Sequence, residues 1–326
     1  MNDTVLLTDR AWPDDAVERG VLEAAGLRLV AGPPEPAAAE VIERLVADHQ
    51  PDALLTCWAP VSAVAIASAP GLRVVARMGV GLDNIAVDAA TAHGVLVTNV
   101  PDYCVDEVSD HALAFVLAWT RGLVRAAGEV RAGRWDPAAA RLRRLSTLTC
   151  GVVGFGRIGR ATARKLQALG ACVIASDPHP PADSDDIPMV GLDELLTRSH
   201  VVVLHAPLTP ATRHLIGARE LALMPQGGLL VNVSRGGLID TDALVDALDR
   251  GHLDGAGLDV LESEPDVPDR LRTHPAAVIT PHIAFSSDAS LVQLRRSAAE
   301  EVVRVLTGEP ARNPCNSIQA AKEGRR

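Results

Sequence analysis

Aromatic residues are scarce in this sequence, making up 2% of its 326 residues with one Tyr, three Phe and four Trp. Its cores must therefore be built from Val, Leu, Ile and Ala, the mixture expected where helices cover a buried parallel sheet. No apolar run approaches the roughly 20 residues of a membrane span. The start, Met1-Asn2-Asp3-Thr4, lacks the basic and apolar stretches of a signal peptide. We expect a cytoplasmic protein with no membrane partner.

Positive charge is also in short supply. Lys and Arg number 31 against 41 Asp and Glu, a formal net charge of −10. With no basic cluster on any expected face, nucleic acid and anionic membranes are disfavoured as partners, because both need a positive patch. The short basic end, Lys322 to Arg326, reads as a frayed tail. Cysteine is sparse and scattered, at Cys57, Cys104, Cys150, Cys172 and Cys315, with no Cys-x-x-Cys pair. Neither a disulfide framework nor a zinc site is indicated, and no metal is expected.

What is present is enough apolar material, 48% of residues against 22% charged, to exclude wholesale disorder. Domains usually hold roughly 100 to 200 residues, so two are expected. Short apolar runs at Val5 to Thr8, Leu27 to Ala31, Ala53 to Cys57, Arg73 to Ala76 and Val95 to Asn99 alternate with helical stretches such as Asp14 to Ala25 and Ala37 to His49. That rhythm predicts βαβ units and a parallel sheet. Asn99-Val100-Pro101-Asp102 interrupts it, and a long helical stretch follows from Val105 to Arg125. Its continuous apolar run, Ala112 to Trp119, should be buried between domains or subunits. A second strand series begins at Leu148, with runs at Gly151 to Val153, Cys172 to Ala175, Val201 to Leu204, Leu229 to Val233, Gly257 to Val260 and Val278 to Thr280. The stretch Asp288 to Leu306 has the period of a final helix, stopped by Gly308, and it need not belong to the domain before it.

Gly154, Gly156 and Gly159 form G-x-G-x-x-G between a strand and a helix. The first glycine permits the tight turn, the second lets a pyrophosphate approach the backbone, and the third lets the helix pack on the strand. The next strand ends in Asp177, where a carboxylate can accept hydrogen bonds from ribose hydroxyls and would repel a 2′-phosphate. No Arg follows immediately, since Pro178, His179 and Pro180 come next. NAD is therefore favoured over NADP.

His205, Ser234, Arg235, Asp259 and His282 all lie at or just beyond the carboxyl ends of these later strands. In an open parallel sheet those ends line one crevice, so residues far apart in sequence converge there. Taken singly each has an ordinary explanation: a surface arginine, a hydrogen-bonded loop histidine, or a solvated carboxylate at Glu262 or Glu264. Their shared placement is what points to a site.

Several strings resemble the D-isomer-specific 2-hydroxyacid dehydrogenases, a family that includes phosphoglycerate dehydrogenase and the C-terminal-binding-protein corepressors. They are Arg77-Met78-Gly79-Val80-Gly81-Leu82-Asp83-Asn84-Ile85, Asn99-Val100-Pro101, the glycine motif, His205-Ala206-Pro207-Leu208-Thr209, Asn232-Val233-Ser234-Arg235-Gly236-Gly237, Leu258-Asp259-Val260 through Glu264-Pro265, and Thr280-Pro281-His282-Ile283. The resemblance runs along nearly the whole chain. It implies that His282 is the general acid and base, that Glu264 hydrogen-bonds His282 and favours its protonated form, and that Arg235 binds the substrate carboxylate and carbonyl. It also implies cofactor contacts at Gly154, Gly156, Arg157, Ile158, Gly159, Asp177, His205, Thr212, Val233 and Asp259, the last accepting from the nicotinamide amide. Substrate contacts are implied at Arg77, Gly79, Val80, Gly81 and Arg235.

The expected fold is α/β, with two doubly wound parallel-sheet domains. A Rossmann NAD-binding domain (101–284) is inserted into a flavodoxin-like substrate domain (1–100 and 285–326). The expected activity is NAD-dependent hydride transfer to or from C2 of a small D-2-hydroxy or 2-keto acid. A homodimer through the nucleotide domain is expected, on the apolar run and the resemblance. The same fold leaves open an NAD-binding corepressor-like scaffold or a phosphite dehydrogenase; formate enzymes of this fold carry Gln where Glu264 stands. Trp58 and Phe285 are expected at the substrate pocket, but their size does not select one acid.

Overall fold

The computed structural model describes residues 3–10, 12–184 and 186–318, so the basic end lies outside the described residues. The chain divides into two compact units: everything up to Tyr103 together with the segment from Ser287 onward, and Cys104–Ser286.

The first unit alternates β1 (Thr4–Leu7), α1 (Ala16–Ala24), β2 (Arg28–Ala31), α2 (Ala39–His49), β3 (Ala53–Thr56), α3 (Ala63–Ala67), β4 (Val74–Arg77), α4 (Val87–Ala92) and β5 (Leu96–Thr98). Its strands pair in parallel in the order β2-β1-β3-β4-β5, the flavodoxin-like arrangement. β1, β3 and β4 are buried along their whole length, which is why they read as unbroken apolar runs. On α2, Ile42 and Val46 lie one turn apart and enter a core with Leu6, Leu54 and Val75.

The second unit opens with α5 (Val105–Thr120) and α6 (Leu123–Arg131). It continues through β6 (Thr149–Val153), α7 (Arg157–Ala168), β7 (Cys172–Ser176), α8 (Leu192–Arg198), β8 (Val201–Leu204), α9 (Ala218–Leu223), β9 (Gly228–Asn232), α10 (Thr241–Asp249), β10 (Leu253–Leu258), α11 (Asp269–Arg272) and β11 (Ala277–Ile279). The strands are parallel in the order β7-β6-β8-β9-β10-β11. A parallel bridge from Met189 to Ala175 extends the sheet beyond β7. The order reverses between β6 and β8, the switch point at which such sheets bind ligands.

α12 (Asp288–Leu306) returns to the first unit. Its Arg295 donates to the fully buried Glu18 of α1 (Nη2 to Oε2, 2.8 Å) and to Asp14, while the Trp12 indole also donates to Glu18 at 2.9 Å. A buried carboxylate met by an arginine and an indole leaves no uncompensated charge, so this cluster can close the discontinuous unit at low cost.

Two elements differ from the sequence expectation. The helical stretch from Val105 does not run to Arg125; it ends at Thr120, because Gly122 takes φ 60° and starts α6 in a new direction. The apolar run Ala112 to Trp119 is covered in good part inside its own unit, where Ala112, Phe115 and Val116 are buried. The strand expected from Gly257 begins earlier, at Leu253. Its Asp254, Gly255 and Gly257 have poor β-propensity and hide it, but the two glycines make room for the rings of α5. A Cβ on Gly255 would lie 2.7 Å from Trp119, and one on Gly257 would lie 2.6 Å from Phe115. Among the described residues, no helix is long and apolar enough to cross a membrane, and no group of three or more His, Cys, Asp or Glu is placed to hold a metal ion.

Candidate active site

The switch point of the second sheet is built from glycines that answer to different constraints. Gly154 has φ 90°, and a Cβ there would sit 2.6 Å from the backbone of His205 and Ala206, so the loops after β6 and β8 close on each other only through glycine. A Cβ on Gly159 would fall 2.0 Å from the Gly154 carbonyl oxygen, which fixes how closely α7 lies on its loop. Gly156 differs. Its φ of −74° and ψ of −163° suit any residue, and a Cβ there would meet nothing within 4 Å. Neither conformation nor packing within the protein requires glycine at 156, whereas a phosphate group seated against the amino end of α7 would. The residues present therefore fit a dinucleotide. We expect Gly156→Val to fold normally and to weaken NADH binding about tenfold or more, read by calorimetry; parent-like affinity would remove this loop from the site.

Asp177, at the end of β7, accepts from the Phe155 N–H (2.7 Å) and the His179 N–H (2.8 Å), which ties its charge to the glycine loop. His205 turns its ring to Thr162 of α7 (2.9 Å), and burial pushes the ring down to about 3, so it stands neutral. Thr212 closes the loop after β8, donating to the Pro207 carbonyl at 2.7 Å and accepting from the Thr209 N–H at 2.8 Å. Arg157 is exposed and Ile158 half-buried at the start of α7, while Val233 is buried after β9.

The loops after β9, β10 and β11 carry the ionisable groups. Asn232, fully buried, donates from Nδ2 to the Arg235 carbonyl (2.8 Å) and accepts from the Ser234 N–H, while the Ser234 hydroxyl donates to the Leu204 carbonyl (2.9 Å). The Arg235 loop is thus held by Asn232 and Ser234, and the guanidinium adds one local bond from Nη1 to the Ser234 carbonyl (2.8 Å). A Cβ on Gly236 would lie 1.9 Å from the Leu261 carbonyl carbon, so this loop is pressed against the one bearing Glu264. Glu264 takes the Leu261 N–H on Oε1 (2.8 Å) and faces His282 Nδ1 across 2.8 Å with Oε2. Its desolvation favours the neutral acid, but the hydrogen bond and charge of His282, with help from Leu261 and Arg235, outweigh it and hold the carboxyl below its usual range. The two acidic candidates separate here. Glu262 binds Arg213 (2.8 Å), His214 (2.7 Å) and Thr241, and so serves the neighbouring loops, not His282.

His282 itself has φ 53°, in the left-handed region that side chains enter only when held there. Asp259 holds it. The Asp259 carbonyl accepts the His282 N–H (2.8 Å), and the nearly inaccessible carboxylate accepts from Thr280 Oγ1 (2.6 Å), Ile283 N–H (2.9 Å) and Ala284 N–H (2.8 Å). Phe285 lies edge-on to the imidazole, ring centroids 6.1 Å apart.

In the first unit, Arg77 is no surface arginine. It is 7% exposed, bonds Asn84 Oδ1 through Nε (3.1 Å) and the Met78 carbonyl through Nη1, and curls over Gly79, where any Cβ would collide with the guanidinium. Asn99 donates to the Val80 carbonyl at 2.7 Å. Asn84 also binds the Ala59 carbonyl, and buried Asp9 accepts from the N–H groups of Cys57, Trp58 and Ala59, so the Trp58 loop is pinned from two sides.

A family model described as "D-isomer specific 2-hydroxyacid dehydrogenase, NAD binding domain" matches residues 113–284. A solved protein of Thermus thermophilus shares 36% identity and superposes with a TM-score of 0.88, covering 96% of this chain and 100% of its own. The chain belongs to the D-isomer specific 2-hydroxyacid dehydrogenase family. It is also similar to a D-lactate dehydrogenase of Aquifex aeolicus solved with NAD and lactic acid, at 30% identity and a TM-score of 0.85 over 94% of this chain and 96% of that one. The D-3-phosphoglycerate dehydrogenase of Mycobacterium tuberculosis is 39% identical over 309 residues, 94% of this chain but 57% of that protein. The chain spans about half the length of the curated relatives it matches. As in other 2-hydroxyacid dehydrogenases, the second unit holds the NAD-binding domain, with NAD as the cofactor.

Sequence reasoning missed the residues that hold these loops: Asn232, Thr280, Asn84 and Asp9. A faint signal existed for Asn232, Asp9 and Thr280, since each is a polar side chain ending or following an apolar strand. For Asn84 the partners are set by tertiary register alone.

Proposed function

We propose that this chain is an NAD-dependent oxidoreductase that transfers a hydride between nicotinamide and C2 of a small D-2-hydroxy or 2-keto acid. The observation that carries the proposal is the His282–Glu264 pair, at 2.8 Å, beside the Arg235 loop at the carboxyl edge of the NAD-binding sheet. NAD, when bound, supplies or accepts the hydride. With Nδ1 given to Glu264, His282 passes its proton through Nε2: to the carbonyl oxygen in reduction, from the hydroxyl in oxidation. Glu264 stays ionised and stabilises the imidazolium. Arg235 offers a fork of donors to the carboxylate and to the oxygen on which charge develops. In this reading Arg157, Ile158, His205, Thr212 and Val233 serve the cofactor, while the Asp259 carboxylate, buried and already accepting from Thr280, Ile283 and Ala284, holds the His282 loop.

The deciding experiment is an NADH-oxidation screen over 2-keto acids, repeated with NADPH. At least one acid should be reduced, and NADH should bind roughly tenfold tighter than NADPH because Asp177 places a carboxylate beside the ribose end of the loop. No turnover of any acid would refute the proposal, and equal affinities would refute the role given to Asp177.

The depressed Glu264 carboxyl has a consequence for stability. A carboxyl whose folded pKa lies below its unfolded value stabilises the fold above the unfolded value and loses that contribution as pH falls through the folded one. Glu264→Gln should therefore melt below the parent at neutral pH, and the gap should close below about pH 4.5, the ordinary glutamate value. A gap that persists unchanged to pH 3 in thermal melts would contradict the assignment.

A homodimer through the second unit belongs to the same reading. α6 carries no buried residue and leaves Leu123, Val124 and Val130 about half exposed, with Trp135 beyond it 83% exposed. A second copy would cover this face, and a monomer by light scattering at micromolar concentration would argue against it. Five cysteines without a disulfide suit a reducing, cytoplasmic setting.

A further inference from the structure

We propose that His111 of α5 is a positioning residue that holds the His282 loop through Thr280 and Asp259. The proposal builds on the acid–base role given to His282 above.

The placement follows from a match of two periods. Four residues of helix advance about 6.0 Å, and two residues of strand advance about 6.6 Å. Along one face of α5 lie Trp119, Phe115 and His111; along one face of β10 and its extension lie Gly255, Gly257 and Asp259. Trp119 fills the space over Gly255 and Phe115 the space over Gly257. The third pair in the register is His111 with Asp259, Nε2 to Oδ1 at 3.6 Å, with Thr280 Oγ1 beside them at 3.0 Å from Nε2. Phe115 steadies the imidazole edge-on, with centroids 4.9 Å apart and planes at 83°.

Counting protons gives the direction of the chain. The Thr280 hydroxyl has one proton, and it goes to Asp259 Oδ1 at 2.6 Å. Its oxygen must then accept from His111, so Nε2 carries a hydrogen. Donors aligned in this order polarise one another, and the series ends on the carboxylate that takes the Ile283 and Ala284 N–H groups. Those two residues directly follow His282, whose left-handed backbone has to be held in place. A packing histidine would need none of this directionality.

The test uses His111→Ala, His111→Gln and Thr280→Val in the full chain. Gln brings an amide N–H to the reach of Nε2. In His111→Ala, kcat for the best 2-keto acid should fall about tenfold, the loss expected of one hydrogen bond, with KM for NADH nearly unchanged. Amide exchange of the 280–285 segment should quicken by about the same factor. His111→Gln should restore both. Thr280→Val should reproduce the loss, and the double variant should add little to it, since both act on one chain. Parent-like exchange in His111→Ala, a Gln variant as impaired as Ala, or additive losses would each overturn the proposal. If the parent turns over no keto acid, the functional reading fails by that result, and the exchange measurement alone decides whether His111 holds the loop.

Discussion

Replacing His282 with alanine is expected to lower the turnover number for 2-keto acid reduction by about 10²- to 10⁴-fold, the range of a positioned proton-transfer group. NADH affinity should survive, because the glycine loop, Asp177 and α7 are built from other parts of the sheet edge. The left-handed φ of 53° complicates a single variant, since alanine resists that region more than histidine does. His282→Asn serves as the second variant: asparagine enters that region more readily, so the backbone is kept and only the acid–base group is lost. Both variants should be slow to a similar degree. Near-parent turnover in either one, on the best substrate, takes His282 out of the mechanism.

Arg235→Gln should lower kcat/KM by about 10²- to 10³-fold, the cost of removing one preorganised donor group from a developing oxyanion. Here KM should rise together with the fall in kcat, because the guanidinium also serves the carboxylate in the ground state. The loop itself should stay in place, since Asn232 holds it by the Arg235 carbonyl and Ser234 by its hydroxyl. Arg235→Lys keeps the charge and loses the fork, so it should recover only part of the rate. A Gln variant that loses kcat with KM unmoved would place Arg235 on the transition state alone and off the substrate carboxylate. A variant with both constants intact would exclude it from the site.

The two substitutions probe parts of the site that were legible to different degrees. The cofactor loop was readable because its parts are close together in sequence: Gly154, Gly156 and Gly159 span the turn between one strand and one helix, and Asp177 directly follows the next strand. Arg235 and His282 were visible as polar residues at the ends of apolar strands. Their company was not. The separation of Glu264 from Glu262 depends on Gly236 letting one loop press on another, and the service of Asp259 to residues 280–284 depends on β10 and β11 lying side by side. That Arg77 is buried over Gly79, and is not a strand-end surface charge, follows only from the folded chain.

The same division holds for the whole chain. Apolar runs in β1, β3, β4, β6 and β8, punctuated by helices with one buried face, specify two parallel sheets from composition and spacing, because burial on both faces leaves no other residue choice. The end of α5 and the start of β10 escaped that logic. A glycine at 122 turns the chain by backbone freedom, and glycines at 255 and 257 belong in a strand only because Trp119 and Phe115 arrive from a helix far away in sequence. Strand and helix come from interactions a few residues long, which the sequence displays directly. The pairing of His282 with Glu264, and of His111 with Thr280, comes from contacts across many residues, and these exist only once the sheet order has brought the loops together.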